Sequence, residues 1–284
     1  MARPLSVFQV QMRRFGRNRM AMVSVAVLAV IVLACFAGPL AFPFTGEDAD
    51  FDFIAAPVDF ASAHLFGTDD FGRDLLVRVL EGGRVSLTIG FLGALTAGGI
   101  GVLYGAVAGY SGGRVDRVMM GAVEVLYGFP YVILVILLSL LLGGGNLALF
   151  GAIVFTLWLT PAVIVRAQAQ SLAKREFVEA ARAGGMTGWA IVWQHIVPNC
   201  ASVVVVYGAL LVPEVILSES FLSFLGIGVK EPAASWGNLI EAGTAAMQTD
   251  LRLLLLPGTL LALVLFCLNF IADGLRDAFD PNER

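Results

Sequence analysis

The chain has 284 residues, 58% of them apolar and 14% charged, with a mean hydropathy of +0.85. A soluble domain of this length cannot enclose so much apolar surface in one core, so composition excludes an ordinary globular protein and points to lipid. A net charge of −4 argues against nucleic acid, and the isolated Cys35, Cys200 and Cys267, with His64 and His195, argue against a metal centre.

A bilayer core of about 30 Å needs about 20 residues of helix. Residues 4–19 mix Leu5, Val7, Phe8, Val10, Met12 and Phe15 with arginines, which suits either an interfacial segment or a basic flank. The first span is expected near 20–41, longer than the apolar stretch of a signal peptide, and is read as uncleaved. Loop 42–84 carries nine acids, from Glu47 to Glu81. The second span, near 85–110, holds Gly101, Gly105 and Gly109, whose spacing of four puts three glycines on one face for close packing. Its partner helix is not specified by the pattern.

The third and fourth spans are expected near 119–142 and 147–165, separated by Gly143-Gly144-Gly145-Asn146. Pro130 and Pro161 should kink them. Glu124 lies in the third. Residues 166–200 form the longest loop. The fifth span, near 201–218, carries Glu214 and leads into Glu219. Intramembrane carboxylates usually face an interior or a watery cavity, so both are candidates for a translocation path, with helix packing as the competing role. Five residues apart, they point about 140° from one another. Segment 226–250, with Trp236 and Leu239, suggests a short helix dipping toward the membrane before the sixth span near 253–273.

Lys and Arg set the orientation. The amino-terminal segment (Arg3, Arg13, Arg14, Arg17, Arg19), the second–third loop (Arg114, Arg117), the loop 166–200 (Arg166, Lys174, Arg175, Arg182) and the tail (Arg276, Arg284) carry thirteen, against five elsewhere. Both termini are therefore expected in the cytoplasm. The expected fold is all-α and polytopic, with six transmembrane helices. It divides into residues 1–84, the first helix with its flanks and outer loop, and a five-helix core, 85–284.

Within the long loop, residues 173–183 favour helix, and Gly184 and Gly185 can end it in the left-handed conformation. Thr187 is an N-cap for a second helix, which Pro198 should close. Ala180, Ala181 and Ala183 give a slim face, while Glu176 and Glu179 share another. Such a helix suits a groove on a partner, although on these residues alone a solvated hairpin with a Glu179–Arg182 pair explains it as well.

The stretch Glu179-Ala180-Ala181, with Gly185 and then Val197-Pro198, resembles the EAA loop of permease subunits of ATP-binding-cassette importers. Further stretches resemble the dipeptide, oligopeptide and nickel branch, in its second-permease type. These are Gly67–Asp74, Gly109–Asp116, Ser218–Gly228, Ser235–Asn238 and Asp273–Pro281. One departure stands out: similar chains carry an arginine and an aspartate three apart where this one has Gly121 and Glu124.

The resemblance implies a non-catalytic subunit of a binding-protein-dependent importer, most simply of di- or oligopeptides, in the bacterial inner membrane. It implies a homologous permease, two ATPase subunits that bind ATP and Mg, and an extracytoplasmic substrate-binding protein. Arg175, Glu176, Glu179, Ala180, Ala181, Ala183, Gly184, Gly185 and Met186 would dock on an ATPase. With no phosphate-binding loop of the G-x-x-x-x-G-K-S/T type, no cofactor is expected in this chain itself. An ion-coupled secondary transporter and a non-transport scaffold are the rival readings.

Overall fold

The computed structural model describes residues 7–59 and 63–279. Arg3, Leu5, Asp280, Pro281 and Arg284 lie outside the described residues. Those described form helices α1 (Val7–Phe15), α2 (Arg19–Ala37), α3 (Leu75–Ser111), α4 (Gly113–Tyr127), α5 (Tyr131–Leu141), α6 (Asn146–Leu157) and α7 (Leu159–Leu172). The chain continues through α8 (Glu176–Ala183), α9 (Gly188–Ile191), α10 (Val197–Asn199), α11 (Ala201–Phe224), α12 (Trp236–Ala245) and α13 (Arg252–Phe279). Short 3₁₀ turns and two isolated β-bridges between helices α2 and α3, and a π-helical turn Val192–Ile196 after α9, are the other regular structure described.

Five helices are long and apolar enough to cross a membrane, and α4 with α5 makes a sixth if that bent pair counts as one span. The pair turns through 94°, far more than the kink expected at Pro130. Pro130 offers no N–H to the preceding turn and disfavours helix at Phe129, so α4 stops at Gly128 and α5 restarts in a new direction. At Pro161 the effect is milder: Trp158 separates α6 from α7 within one span.

Helix α3 begins ten residues before the expected second span and runs unbroken through residue 84, where the sequence division falls. Asp74 starts it by accepting from the Val77 N–H at 2.8 Å. The charges that mask this first stretch in the sequence are engaged. Arg78 donates to the Gly46 carbonyl at 3.0 Å, and Glu81 accepts from the Gly46 N–H at 3.1 Å. At about 1.5 Å per residue, the 37 residues of α3 reach about 55 Å, so one helix links both ends of the molecule.

The three-glycine face of α3 meets α7 of the same chain. A methyl group on Gly105 would sit 2.3 Å from the Ala162 carbonyl oxygen, and one on Gly109 would sit 2.5 Å from that of Arg166. Only backbone-to-backbone approach fits there. Next to this seam, Asp116 on α4 accepts two bonds from the Arg166 guanidinium, at 2.5 and 2.6 Å, and one from Gln170 at 3.1 Å. The 109–116 motif therefore fastens α3 and α4 to α7. Glu124 is exposed on α4 and forms no ion pair among the described residues.

The main core joins α2, α3, α6, α11, α12 and α13. Trp236 is fully buried in it, donating from its indole nitrogen to the Val79 carbonyl at 3.1 Å. Trp236 thus anchors α12 inward. Helix α1 lies against the end of α13, with Met12 and Phe15 on Val206, Ala278 and Phe279.

Candidate functional site

The two ends of α3 carry the candidate residues. At its C-terminal end, α8 is fixed by Val178, which is fully buried among Val102, Ala106, Val165, Ala169, Ile191 and Val192. Gly184 ends the helix. Gly185 follows at φ +83°, and the Met186 N–H closes on the Ala181 carbonyl at 3.2 Å.

Of the predicted docking residues, Arg175, Glu176, Glu179, Ala180, Ala183, Gly184 and Gly185 are exposed together. Ala181 and Met186 instead turn inward against the Val178 cluster. They hold the helix rather than present it. Arg182 stacks on the Tyr110 ring, 5.4 Å from its centroid, and no Glu179–Arg182 ion pair forms among the described residues. The internal pairing that would make a self-contained hairpin is therefore missing, and both glutamates face outward.

Thr187 caps the next helix as expected, accepting from the Ala190 N–H at 3.3 Å. Pro198 does not close it. The chain passes through a π turn, Val192–Ile196, that accommodates the missing proline N–H, and continues as α10 toward α11. This path leaves Trp189 and Trp193 exposed and stacked, with centroids 6.5 Å apart, and Phe177 exposed on α8. Sequence reasoning passed over these aromatics. Their signal was the spacing of four between two tryptophans in a segment read as a cytoplasmic hairpin. Trp193 also lines an apolar cavity of about 600 Å³ between α3, α7 and α11, with Leu95, Pro161, Tyr207 and Leu211 on its walls.

The two candidate path carboxylates part company. Glu214 is exposed on α11, beside the helix-internal Pro213. Glu219 has no exposed surface. Ser86 of α3 donates to it at 2.7 Å, Ser223 at 2.8 Å and Ser220 at 3.3 Å. The same Ser86 and Ser223 hydroxyls accept the N–H groups of Trp236 and Val229, each at 3.2 Å. Glu219 is therefore the centre of a hydrogen-bonded node joining α3, α11 and α12, and its place is the protein interior, not a lining surface. Helical angle separates it from Glu214 but cannot say which of the two faces in.

Above this node, the Gly67–Asp74 motif forms a polar knot. Asp69 accepts from the Arg73 side chain at 2.8 Å and from the Phe71 and Arg73 N–H groups at 2.9 and 3.0 Å. Arg252 at the start of α13 donates to the carbonyls of Phe66 and Ala56, at 3.2 and 3.3 Å. The Arg252 guanidinium beside Asp250 holds that carboxyl below the ordinary carboxylate range.

A family model described as binding-protein-dependent transport system inner membrane component matches residues 101–284. The chain belongs to that family. A second model, the N-terminal TM domain of oligopeptide transport permease C, matches residues 6–57.

The permease is 50% identical over 279 residues to the oligopeptide transport system permease protein OppC of Escherichia coli K12, covering 98% of this chain and 92% of that one. It is 48% identical over 279 residues to OppC of Haemophilus influenzae, covering 98% and 90%. The dipeptide transport system permease protein DppC of Bacillus subtilis is 37% identical over 281 residues, covering 99% and 87%. The permease is thus a multi-pass membrane protein of an importer family. Helix α8 and Glu219 fall inside residues 101–284, while Ser86, the node's donor from α3, precedes them.

Proposed function

We propose that this permease is one of two homologous membrane subunits of an ATP-driven importer of oligopeptides in a bacterial inner membrane. In this reading it crosses the membrane six times, with α4–α5 as one broken span and both termini in the cytoplasm. Helix α8 docks on one of two ATPase subunits, which bind ATP and Mg and hydrolyse the nucleotide. The opposite end, with the acidic loop 42–74 and the α12 segment, receives a substrate-binding protein. Residues 1–84 carry the amino-terminal segment, the first helix and the outer loop, and 85–284 the five-helix transporting core, with α3 running across that boundary. The names of the relatives support the peptide substrate.

One observation carries the mechanism. Helix α8 is held to the bundle by the buried Val178 with Ala181 and Met186 beside it, and its acidic face forms no ion pair among the described residues. Such a helix transmits force if something grips that face. The Val178 cluster includes Val102 of α3 and Val165 of α7, so movement of α8 is passed directly to two long helices. Glu214, exposed on α11, remains the path candidate; Glu219 holds the helices that flank it.

Glu179→Ala tests this. The variant should fold and assemble as the wild type does, because Glu179 makes no ion pair within the chain among the described residues. ATP-driven uptake in proteoliposomes should fall at least about tenfold, the loss of roughly one charged contact. Uptake at the wild-type rate, or uptake driven by an ion gradient without ATP, would sink the proposal.

A further inference from the structure

A small cluster at the α12 end is built unlike an ordinary structural ion network. Arg78 and Arg73 are almost enclosed, with side chains 2% and 10% exposed, and Asp69 between them is 11% exposed. These three groups together carry one net positive charge. Glu81 lies near Arg78, and Glu231, whose side chain is 54% exposed, reaches both arginines at 3.3 Å. Those contacts are long for charge-assisted bonds, which usually lie at about 2.7–2.9 Å. The Asp69–Arg73 bond, at 2.8 Å, shows what the same guanidinium does with a committed partner.

Glu231 is carried on the segment between α11 and α12. The segment is pinned on both sides of it, because the Asn238 side chain donates to the carbonyls of Val229 and Ala233 at 3.1 and 3.0 Å. The glutamate itself has no such hold. Beside it opens a cavity of about 70 Å³ bordered by Asp69, Phe71, Arg73, Arg78, Glu231 and Leu239. A water occupies about 30 Å³, so the space admits one carboxylate head and not a whole peptide. Phe71, 61% exposed and stacked on Arg73 at 4.7 Å, forms its outer lip.

We propose that Arg73 and Arg78 form a carboxylate-binding site in which Glu231 is a displaceable resident, exchanged for a carboxylate arriving from the α12 side. Two sources share this chemistry: the terminal carboxylate of a transported peptide and an acidic side chain of the binding protein. Naming these sources rests on the importer reading; the exchange itself does not. Displacement would remove the Glu231 link between this segment and α3 and leave the Asn238 bonds to Val229 and Ala233 to hold it. Because that segment also carries Val229, whose N–H bonds Ser223 of the Glu219 node, release at the rim would reach the packing of α11.

The test uses the intact complex in lipid nanodiscs and reads its thermal midpoint in sodium acetate against sodium chloride of equal ionic strength. A tethered carboxylate competes at an effective concentration in the millimolar range. Glu231→Ala should therefore respond to acetate at a concentration about tenfold lower than the wild type needs. Adding Arg73→Gln to that variant should abolish the response. If Glu231→Ala fails to assemble, the isosteric Glu231→Gln gives the same comparison. Equal responses of wild type and variant, or no response in either, overturn the exchange.

The source is read on the wild type, with a free-acid peptide against its C-terminal amide and then with peptide-free binding protein. A shift with the free acid alone supports the proposal with the peptide as donor. A shift with the binding protein supports it with that protein's surface as donor. A shift with neither overturns it. No measurement here requires ATP, so its failure leaves the importer reading standing, and loss of ATP-driven uptake leaves these midpoints unmoved.

Discussion

The two ends of α3 solve opposite problems. At its N-terminal end, charge is turned inward: Asp74, Arg78 and Glu219 are all nearly inaccessible, and each is bonded to other parts of the chain, Asp74 to His64, Arg78 to Gly46 and Glu219 to Ser86. At its C-terminal end, charge is turned outward: Glu176, Glu179 and Arg175 are exposed around one buried valine. The first end is held by many directional bonds in a region of low dielectric, where each missing partner is costly. The second is held by an apolar contact, which tolerates small shifts. Rigidity is concentrated where the α11–α12 segment meets α3, and freedom where a partner would pull.

Substitutions that break this contrast can be ordered by their expected effect on folding. Glu219→Ala should be the most damaging. It strips the serine hydroxyls of Ser86 and Ser223 of their acceptor and leaves a cavity where a buried carboxyl stood. Several unsatisfied buried groups together cost about 4 kcal/mol. The yield of assembled complex and its midpoint of unfolding should both fall, while conservative Glu219→Gln retains an acceptor and most of the stability. A stable Glu219→Ala complex would show that the node is not what holds the α12 end.

Gly72→Ala should come next. Gly72 has φ +76°, and an added methyl would lie 2.2 Å from the Asp50 carbonyl oxygen. The backbone strain and the clash together should cost about 3 kcal/mol, read as a lowered unfolding midpoint. Val178→Ala follows at about 2 kcal/mol, but its loss should be local. Amide exchange should accelerate in 176–186 and stay unchanged around Asp69 and Glu219. Equal acceleration at both ends would mean that the ends are not energetically separate.

What the sequence made legible follows the same division. Helix α8, its glycine stop and the Thr187 cap depend on neighbours a few residues apart, and they were readable from propensity and capping alone. The start of α3 was not, because Arg78, Glu81 and Arg84 look like loop residues until Gly46 and Glu231 are known to meet two of them. The same limit applies to the three-glycine face: spacing announces close approach, and only the fold shows that α7 is what approaches. Pro130 was visible, but not its 94° consequence, since a proline frees a turn without choosing the new direction. Ala181 and Met186 were read as presented residues because local pattern cannot tell which side of a short helix the bundle takes.

The sharpest probe of the contrast is the smallest in stability. Gly185 has φ +83°, close to that of Gly72, yet a methyl there would meet nothing within 4 Å. Gly185→Ala should therefore cost only the left-handed backbone strain, about 1 kcal/mol, against about three times that at Gly72. Open space around Gly185 in the isolated chain is also where an ATPase surface would lie if α8 docks as proposed. A bulkier Gly185→Leu should then leave the folded permease nearly as stable as Gly185→Ala but abolish ATP-driven uptake. Measured side by side, unfolding midpoints should be alike for the two variants while uptake differs. If uptake instead follows stability in both, the left-handed turn matters for folding alone, and the space beyond it receives no partner.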